Sequence, residues 1–327
     1  MYFSFWNFNF TGNGGAIQWT GKHGTLKNCN FINNIGSQGG AIFWRNDNGT
    51  ISDSIFTDNT AKISNGGALY WGGANGVITN SKFIGNIANE RAGAIIWGGA
   101  NGIITGSIFI NNTANINGGA IRWDGANGNL TNSSFTGNSA NTNRTNTQGG
   151  GIFWVGVNGT ITDSNFINNS ANRDGGGVAW IGANGTIIGS TFTSNSVIIS
   201  SGGGVYWEGA NGKLSYSTFT SNNAQIGGGI SWMGVNCTVI GSNYINNTAI
   251  NRGGAIYWTN VGSMINCNFV NSKSQQYNGI YAVKDLNIND GIGIVYIIIQ
   301  GTLSGISIVV LNNETYYYPP NSNINFK

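Results

Sequence analysis

The stretch Gly39 to Asn59, GGAIFWRNDNGTISDSIFTDN, returns with small changes along most of the chain. Tryptophan is its anchor. Trp19, Trp44, Trp71, Trp97, Trp123, Trp154, Trp180, Trp207, Trp232 and Trp258 follow one another at intervals of 25 to 31 residues, and each closes a GGAIxW-like phrase. Twelve residues after each of the first nine comes an aromatic: Phe31, Phe56, Phe83, Phe109, Phe135, Phe166, Phe192, Phe219 and Tyr244. Three residues later stands Asn, from Asn34 to Asn247. Only the last repeat slips, with Phe269 eleven residues after Trp258. Self-similarity at a fixed period is the mark of a solenoid.

A period near 26 also suits leucine-rich repeats, but their Leu framework and helical half are missing, and a propeller blade needs about 40 residues. The 327 residues include 54 Gly, 54 Asn and two Pro, with 8% charged and 40% hydrophobic. Gly and Asn favour tight turns, and the abundant Ile, Val, Thr and aromatics favour strands. Stacking one turn of chain per repeat brings equivalent strands side by side in parallel sheets. These features predict an all-β, right-handed parallel β-helix of about ten coils, the hand following the usual sense of parallel crossovers. Residues 1–283 form the repeat domain. In 284–327 the phrase decays, and GISIVVLNNETYYYPPN reads as a hairpin-like pair of strands, so that segment is a C-terminal β cap or the start of a β-sandwich.

Tolerance within the chain separates inside from outside. The column before each Trp holds Gln18, Phe43, Tyr70, Ile96, Arg122, Phe153, Ala179, Tyr206, Ser231 and Tyr257. A buried, unpaired Arg122 would cost several kcal/mol, so this column faces water and its Ile/Val/Leu and Trp neighbours face inward. The Ala/Gly column of Ala41, Ala68, Gly151, Gly204 and Ala255 is expected outside as well, a small-residue floor beside projecting aromatics. Phe43, Tyr70, Arg122, Phe153, Tyr206 and Tyr257 are accordingly the candidate contacts for a glycan or a partner's apolar patch. The FxxN asparagines are expected to form an amide ladder. His23 replaces the Asn of the NG turn and reads as a turn residue. Cys29 and Cys267 fill a small inward column otherwise occupied by Ser, roughly 40 Å apart, which predicts free thiols. Chain length varies mainly between the FxxN asparagine and the next glycine pair, with SANTNRTNTQ (139–148) the longest version. Any recognition loop is expected at that corner.

A net charge of +3 gives no nucleic-acid or membrane-surface footprint, and no apolar run is long enough to span a bilayer. Hydrolysis of a glycan usually needs two carboxylates within about 5–10 Å. Asp53 and Asp163 share a column roughly 19 Å apart, and Asp124 and Glu208 another at about 14 Å. Asp47, Asp53 and Asp58 lie on different walls of one coil, and Glu90 and Asp124 in unlike columns. With one His and three scattered Cys there is no metal motif. No cofactor, metal or catalytic residue is expected.

At GGAI and FxxN, residues 10 to about 272 resemble the repeat of the chlamydial polymorphic outer-membrane proteins. The Trp and NGTI additions, the Asn richness and the scarcity of charge are more similar to adhesin-like proteins of methanogenic archaea. That resemblance implies a non-enzymatic adhesin at the extracellular cell surface, its partners host or microbial surface glycans or proteins. A structural envelope spacer and a polysaccharide lyase or hydrolase are the alternatives. MYFSFWNFNFTGN carries no basic n-region or cleavage site. The chain is therefore expected to begin inside a longer solenoid.

Overall fold

The computed structural model describes residues 3–140, 144–275 and 280–282, and beyond them the strands between Leu286 and Tyr317. One coil shows the plan. The chain runs as Ile95–Trp97, Ile103–Thr105, Ile108–Ile110 and Thr113–Ala114 before the next glycine pair. Each strand pairs in parallel with its equivalents one repeat away: Trp97 with Trp71 and Trp123, Phe109 with Phe83 and Phe135. Three sheets of twelve strands and one of ten result, in a right-handed parallel β-helix of about ten turns. In the order of that coil they are called the Trp sheet, the Ile sheet, the Phe sheet and the short-strand sheet. Leu286–Asn289, Ile297–Ile299 and Leu303–Ser304 continue the sheets. Ile308–Leu311 and Glu314–Tyr317 pair antiparallel. The joints of 284–327, and with them its reading as cap or further domain, lie outside the described residues.

The tryptophans point inward. Trp44 through Trp258 are fully buried, and successive indoles stack with centroids 4.5–5.1 Å apart. Across the interior stands a parallel stack from Phe5 to Phe269 at similar spacing. Burial of this apolar area, at about 25 cal/mol per Å², is the main favourable term of the fold.

The NG corners divide their work between two residues. Asn takes the left-handed conformation, as at Asn101 (φ 56°), and His23 does the same at φ 58°. The glycine is there for space. A Cβ on Gly102 would lie 2.3 Å from Trp97 Nε1, and at Gly49 it would lie 2.4 Å from the Trp44 ring. Gly102→Ala therefore displaces a stacked indole and is expected to lower stability by about 1–3 kcal/mol. Asn101→Gly, which keeps the conformation open, stays within about 1 kcal/mol. Denaturant midpoints of the two variants make the comparison.

Two amide ladders run the length of the rod. Inside, the FxxN asparagines behave as expected: Asn59 Nδ2 donates to Asn86 Oδ1 at 3.0 Å and to the Phe31 carbonyl at 2.9 Å, while its backbone N–H donates to Asn86 Oδ1. The NG asparagines form a second, exposed ladder, with Asn101 Nδ2 donating to Asn75 Oδ1 at 3.0 Å. The inner amides donate both to the following asparagine and to a carbonyl of the preceding coil, whereas the outer ones donate to the preceding asparagine.

Strand alternation fails at one column. Ala41 and Ile42 both donate their N–H to the Ala68 carbonyl, at 2.9 and 3.0 Å, and this repeats along the sheet. Two consecutive side chains thereby face inward. Ala41, Ala68 and Ala255 are fully buried, and a Cβ on Gly151 or Gly204 would meet the Phe166 or Phe219 ring. The expected outer floor of small residues is instead part of the core.

Cys29, Cys237 and Cys267 are free and buried. Cys29 and Cys267 occupy the Ser column, while Cys237 takes the place of a turn glycine. Burial pushes all three thiols up, Cys267 to about 11. A raised acid binds its proton more tightly in the folded state, so its contribution is complete below about pH 9 and is lost as pH rises through 11. For Cys267, stability should fall between pH 9 and 11 by up to about 1.4 kcal/mol per pH unit. Cys267→Ser is expected to flatten that fall in alkaline denaturation curves.

Candidate functional site

The column before the Trp faces outward, as expected, but unevenly. Gln18 is exposed, and Phe43, Tyr70, Arg122, Tyr206 and Tyr257 are half-buried. Phe153 keeps only 7% of its surface, and Ala179 and Ser231 keep none. Three groups emerge along the rod. The Phe43 and Tyr70 rings stack at 4.6 Å. The Arg122 guanidinium bonds to both oxygens of Asp124 through Nε (2.9 and 3.0 Å) and lies 5.2 Å from the Phe153 centroid. Tyr206 stands alone between the small residues Ala179 and Ser231, its register partners on either side, about 10 Å from Phe153 and from Tyr257.

The third group carries titratable chemistry. Tyr206 Oη donates to Glu208 Oε2 at 3.4 Å, since residues two apart on a strand share a face. Asp174, on the neighbouring coil, adds to the negative charge felt by the same phenol. It is bridged to Ser201, and left-handed Gly202 (φ 73°) folds that corner back until a Cβ there would sit 2.7 Å from Tyr206 N. Asp174 is 3% exposed and held firmly: Gln148 Nε2 donates to its Oδ2 at 2.8 Å, Arg173 Nε lies 3.2 Å from Oδ2, and Ser201 N donates to Oδ1 at 3.3 Å. Burial first, then the Glu208 and Asp174 carboxylates, push the Tyr206 phenol well above its ordinary range. The phenol holds its proton more tightly than an ordinary tyrosine, and that proton points to Glu208. Beside it in register, Ser231 Oγ is buried without a hydrogen-bond partner.

The six contact residues named from sequence thus do not form one patch. Phe43 with Tyr70, and Arg122 with Phe153, are brought together, while Tyr206 joins Glu208, Asp174, Arg173 and Gln148, none of which had been assigned to a site. Column arithmetic missed this pairing because it compared only acids of like column. Asp174 precedes the glycine pair and Glu208 follows the Trp, so the two lie in unlike columns. The sign available in sequence was the pair of glycine triplets, Gly175 to Gly177 and Gly202 to Gly204, between Asp174 and Tyr206. Among the described residues no group of three or more His, Cys, Asp or Glu is placed to hold a metal ion, and no helix is long and apolar enough to cross a membrane.

No family model and no curated protein matches the sequence. Among solved structures, the complex of the alginate lyase AlyF-OU02 aligns over 85% of this chain and 60% of the lyase chain, with a TM-score of 0.51 at 14% sequence identity. This chain thus spans less than two thirds of the lyase's length, and the likeness is one of fold. It corrects the expectation of a non-enzymatic adhesin, because the architecture from which attachment was inferred is shared with a polysaccharide-cleaving enzyme. The sequence-based exclusion of catalysis compared acids with acids only, whereas the structure pairs Glu208 with the Tyr206 phenol.

Proposed function

We propose that the chain is a polysaccharide-cleaving β-helix that seats a glycan on the outer face of the Trp sheet and acts at Tyr206, by β-elimination from an acidic polymer. The observation that carries this reading is the protonated phenol hydrogen-bonded to Glu208 beside Asp174 and Arg173. The solved lyase of the same fold supports it.

Elimination requires removal of the proton α to the uronate carboxylate and protonation of the departing glycosidic oxygen. The Glu208 carboxylate takes the proton from C5. The C5 electron pair forms the C4–C5 double bond as the C4–O bond breaks, and the Tyr206 phenol gives its proton to the leaving oxygen. Glu208, still bonded to Tyr206, then returns its proton to the phenolate and resets the pair. Arg173 offsets the substrate carboxylate's charge. Its ion pair with Asp174 holds it in place. Phe43 with Tyr70, Arg122 with Phe153, and Tyr257 offer further contacts along the rod, with Ile96, Ala179 and Ser231 between the groups. A polymer substrate of this kind places the work outside the cell.

A second reading, hydrolysis by the Asp174 and Glu208 carboxylates with Tyr206 as positioning group, follows from the same two acids. The test is incubation with polyuronates and with neutral polysaccharides. Ultraviolet-absorbing unsaturated ends together with new reducing ends establish elimination, and reducing ends alone establish hydrolysis. Neither product from any polymer overturns the proposal.

A further inference from the structure

The longest coil carries a cavity that the Tyr206 cluster does not use. Thirty-one residues separate Asn138 from its ladder partner Asn169, against 25 to 27 elsewhere. Part of the extra chain, Arg144 to Thr147, lines an open cavity of about 380 Å³ with Ile116 of the preceding coil. The lining is tied down. Thr147 is fully buried and its Oγ1 accepts from Asn172 N at 3.1 Å, its carbonyl accepts from Arg173 N at 2.9 Å, and Asn172 Nδ2 donates to the Arg144 carbonyl at 2.7 Å.

Charge distinguishes this cavity. Arg122 is paired with Asp124 and Arg173 with Asp174. The exposed Arg144 guanidinium has no ion-pair partner among the described residues. Around it are the Thr145 hydroxyl, the Asn146 amide and the apolar Ile116 side chain. A planar cation, neutral donors and acceptors, and one apolar wall match a pyranose ring bearing a carboxylate, since the guanidinium fork binds carboxylates through two parallel bonds. The volume lies at the small end of ligand pockets, enough for one sugar residue with its neighbour entering from solvent. Gln148 follows Thr147 directly and donates to Asp174, so the cavity adjoins the Tyr206 cluster.

We propose that the cavity of Ile116 and Arg144–Thr147 is a subsite for one uronic acid residue of a polysaccharide, with Arg144 bound to its carboxylate. This deepens the reading of the outer face as a polysaccharide site, but binding here does not require cleavage. The test is calorimetric titration of the full chain with a uronate oligosaccharide, the same oligosaccharide with its carboxyl groups reduced to alcohols, and a sulfated neutral oligosaccharide. The wild type should prefer the uronate over the reduced form by about tenfold or more. Arg144→Gln should erase that preference, and Arg144→Lys should restore part of it. Equal affinity for uronate and reduced forms, or a preference that survives Arg144→Gln, overturns the assignment. Stronger binding of the sulfated oligosaccharide than of the uronate overturns it as well. Preferential uronate binding without cleavage of any polymer would remove the lyase reading and leave this subsite standing.

Discussion

Asn112→Leu is expected to lower the unfolding free energy by about 5 kcal/mol, against about 1 kcal/mol or less for Asn101→Gly on the outside of the same coil. The two asparagines look alike in sequence and both belong to amide ladders. Asn112 is fully buried. Its Oδ1 accepts from Asn86 N and Nδ2 (3.0 and 2.9 Å), and its Nδ2 donates to the Phe83 carbonyl and to Asn138 Oδ1 (both 2.9 Å). Leucine fills the volume but leaves two donors on Asn86 and the Phe83 carbonyl without partners, each costing about 1–3 kcal/mol in a dry interior. Asn101 gives up two exposed bonds, one donated to Asn75 Oδ1 and one accepted from Asn127 Nδ2, and water replaces both. Asn112→Asp separates hydrogen bonding from shape. It keeps the acceptor, loses both Nδ2 donors, and its carboxyl must stay neutral in the apolar core, so its folded pKa is raised above the unfolded value near 4. Its residual stability is then largest below about pH 4 and falls as pH rises, the opposite of an exposed Asp. Urea melts at pH 3.5 and 7 read both effects. A loss under about 2 kcal/mol for Asn112→Leu would show that the ladder is decoration on an aromatic core.

The repeat made the architecture legible because stacking converts sequence period into spatial contact. Every Trp meets the next Trp and every Phe the next Phe, so a column in sequence is a column in space. What the period could not reveal was the path within one coil. The doubled inward turn at Ala41 and Ile42 depends on two N–H groups sharing the Ala68 carbonyl, a backbone event with no residue signature beyond small size. Resemblance at GGAI and FxxN encodes these corners and the ladder rather than chemistry. For that reason it could indicate a solenoid while its implied function was corrected. The proposed chemistry sits at positions whose columns vary: Glu208 follows its Trp where neighbouring coils hold Ile181 and Met233, and Asp174 lies in register between Gln148 and Ser201.

Tyr206→Phe is expected to reduce kcat for polysaccharide cleavage by 10²- to 10⁴-fold, the range for removing a positioned proton donor. KM should change little, because the ring that meets the sugar remains. The substitution deletes one oxygen from a half-buried phenol whose single hydrogen bond, to Glu208, is long. The melting temperature should therefore hold or rise slightly, which separates a chemical loss from unfolding. Glu208→Gln tests the other half of the pair. The side chain is exposed, so the fold is indifferent to the change, but a carboxamide cannot accept the C5 proton, and kcat should fall by a similar factor. The pH profile then tests the acid. On the alkaline side activity should persist well past pH 10, because the phenol's proton is held above the ordinary tyrosine range by burial and by two carboxylates. A wild-type rate that falls near pH 10 would mean an unperturbed tyrosine or a different acid, and undiminished cleavage in Tyr206→Phe would move the chemistry elsewhere on the rod.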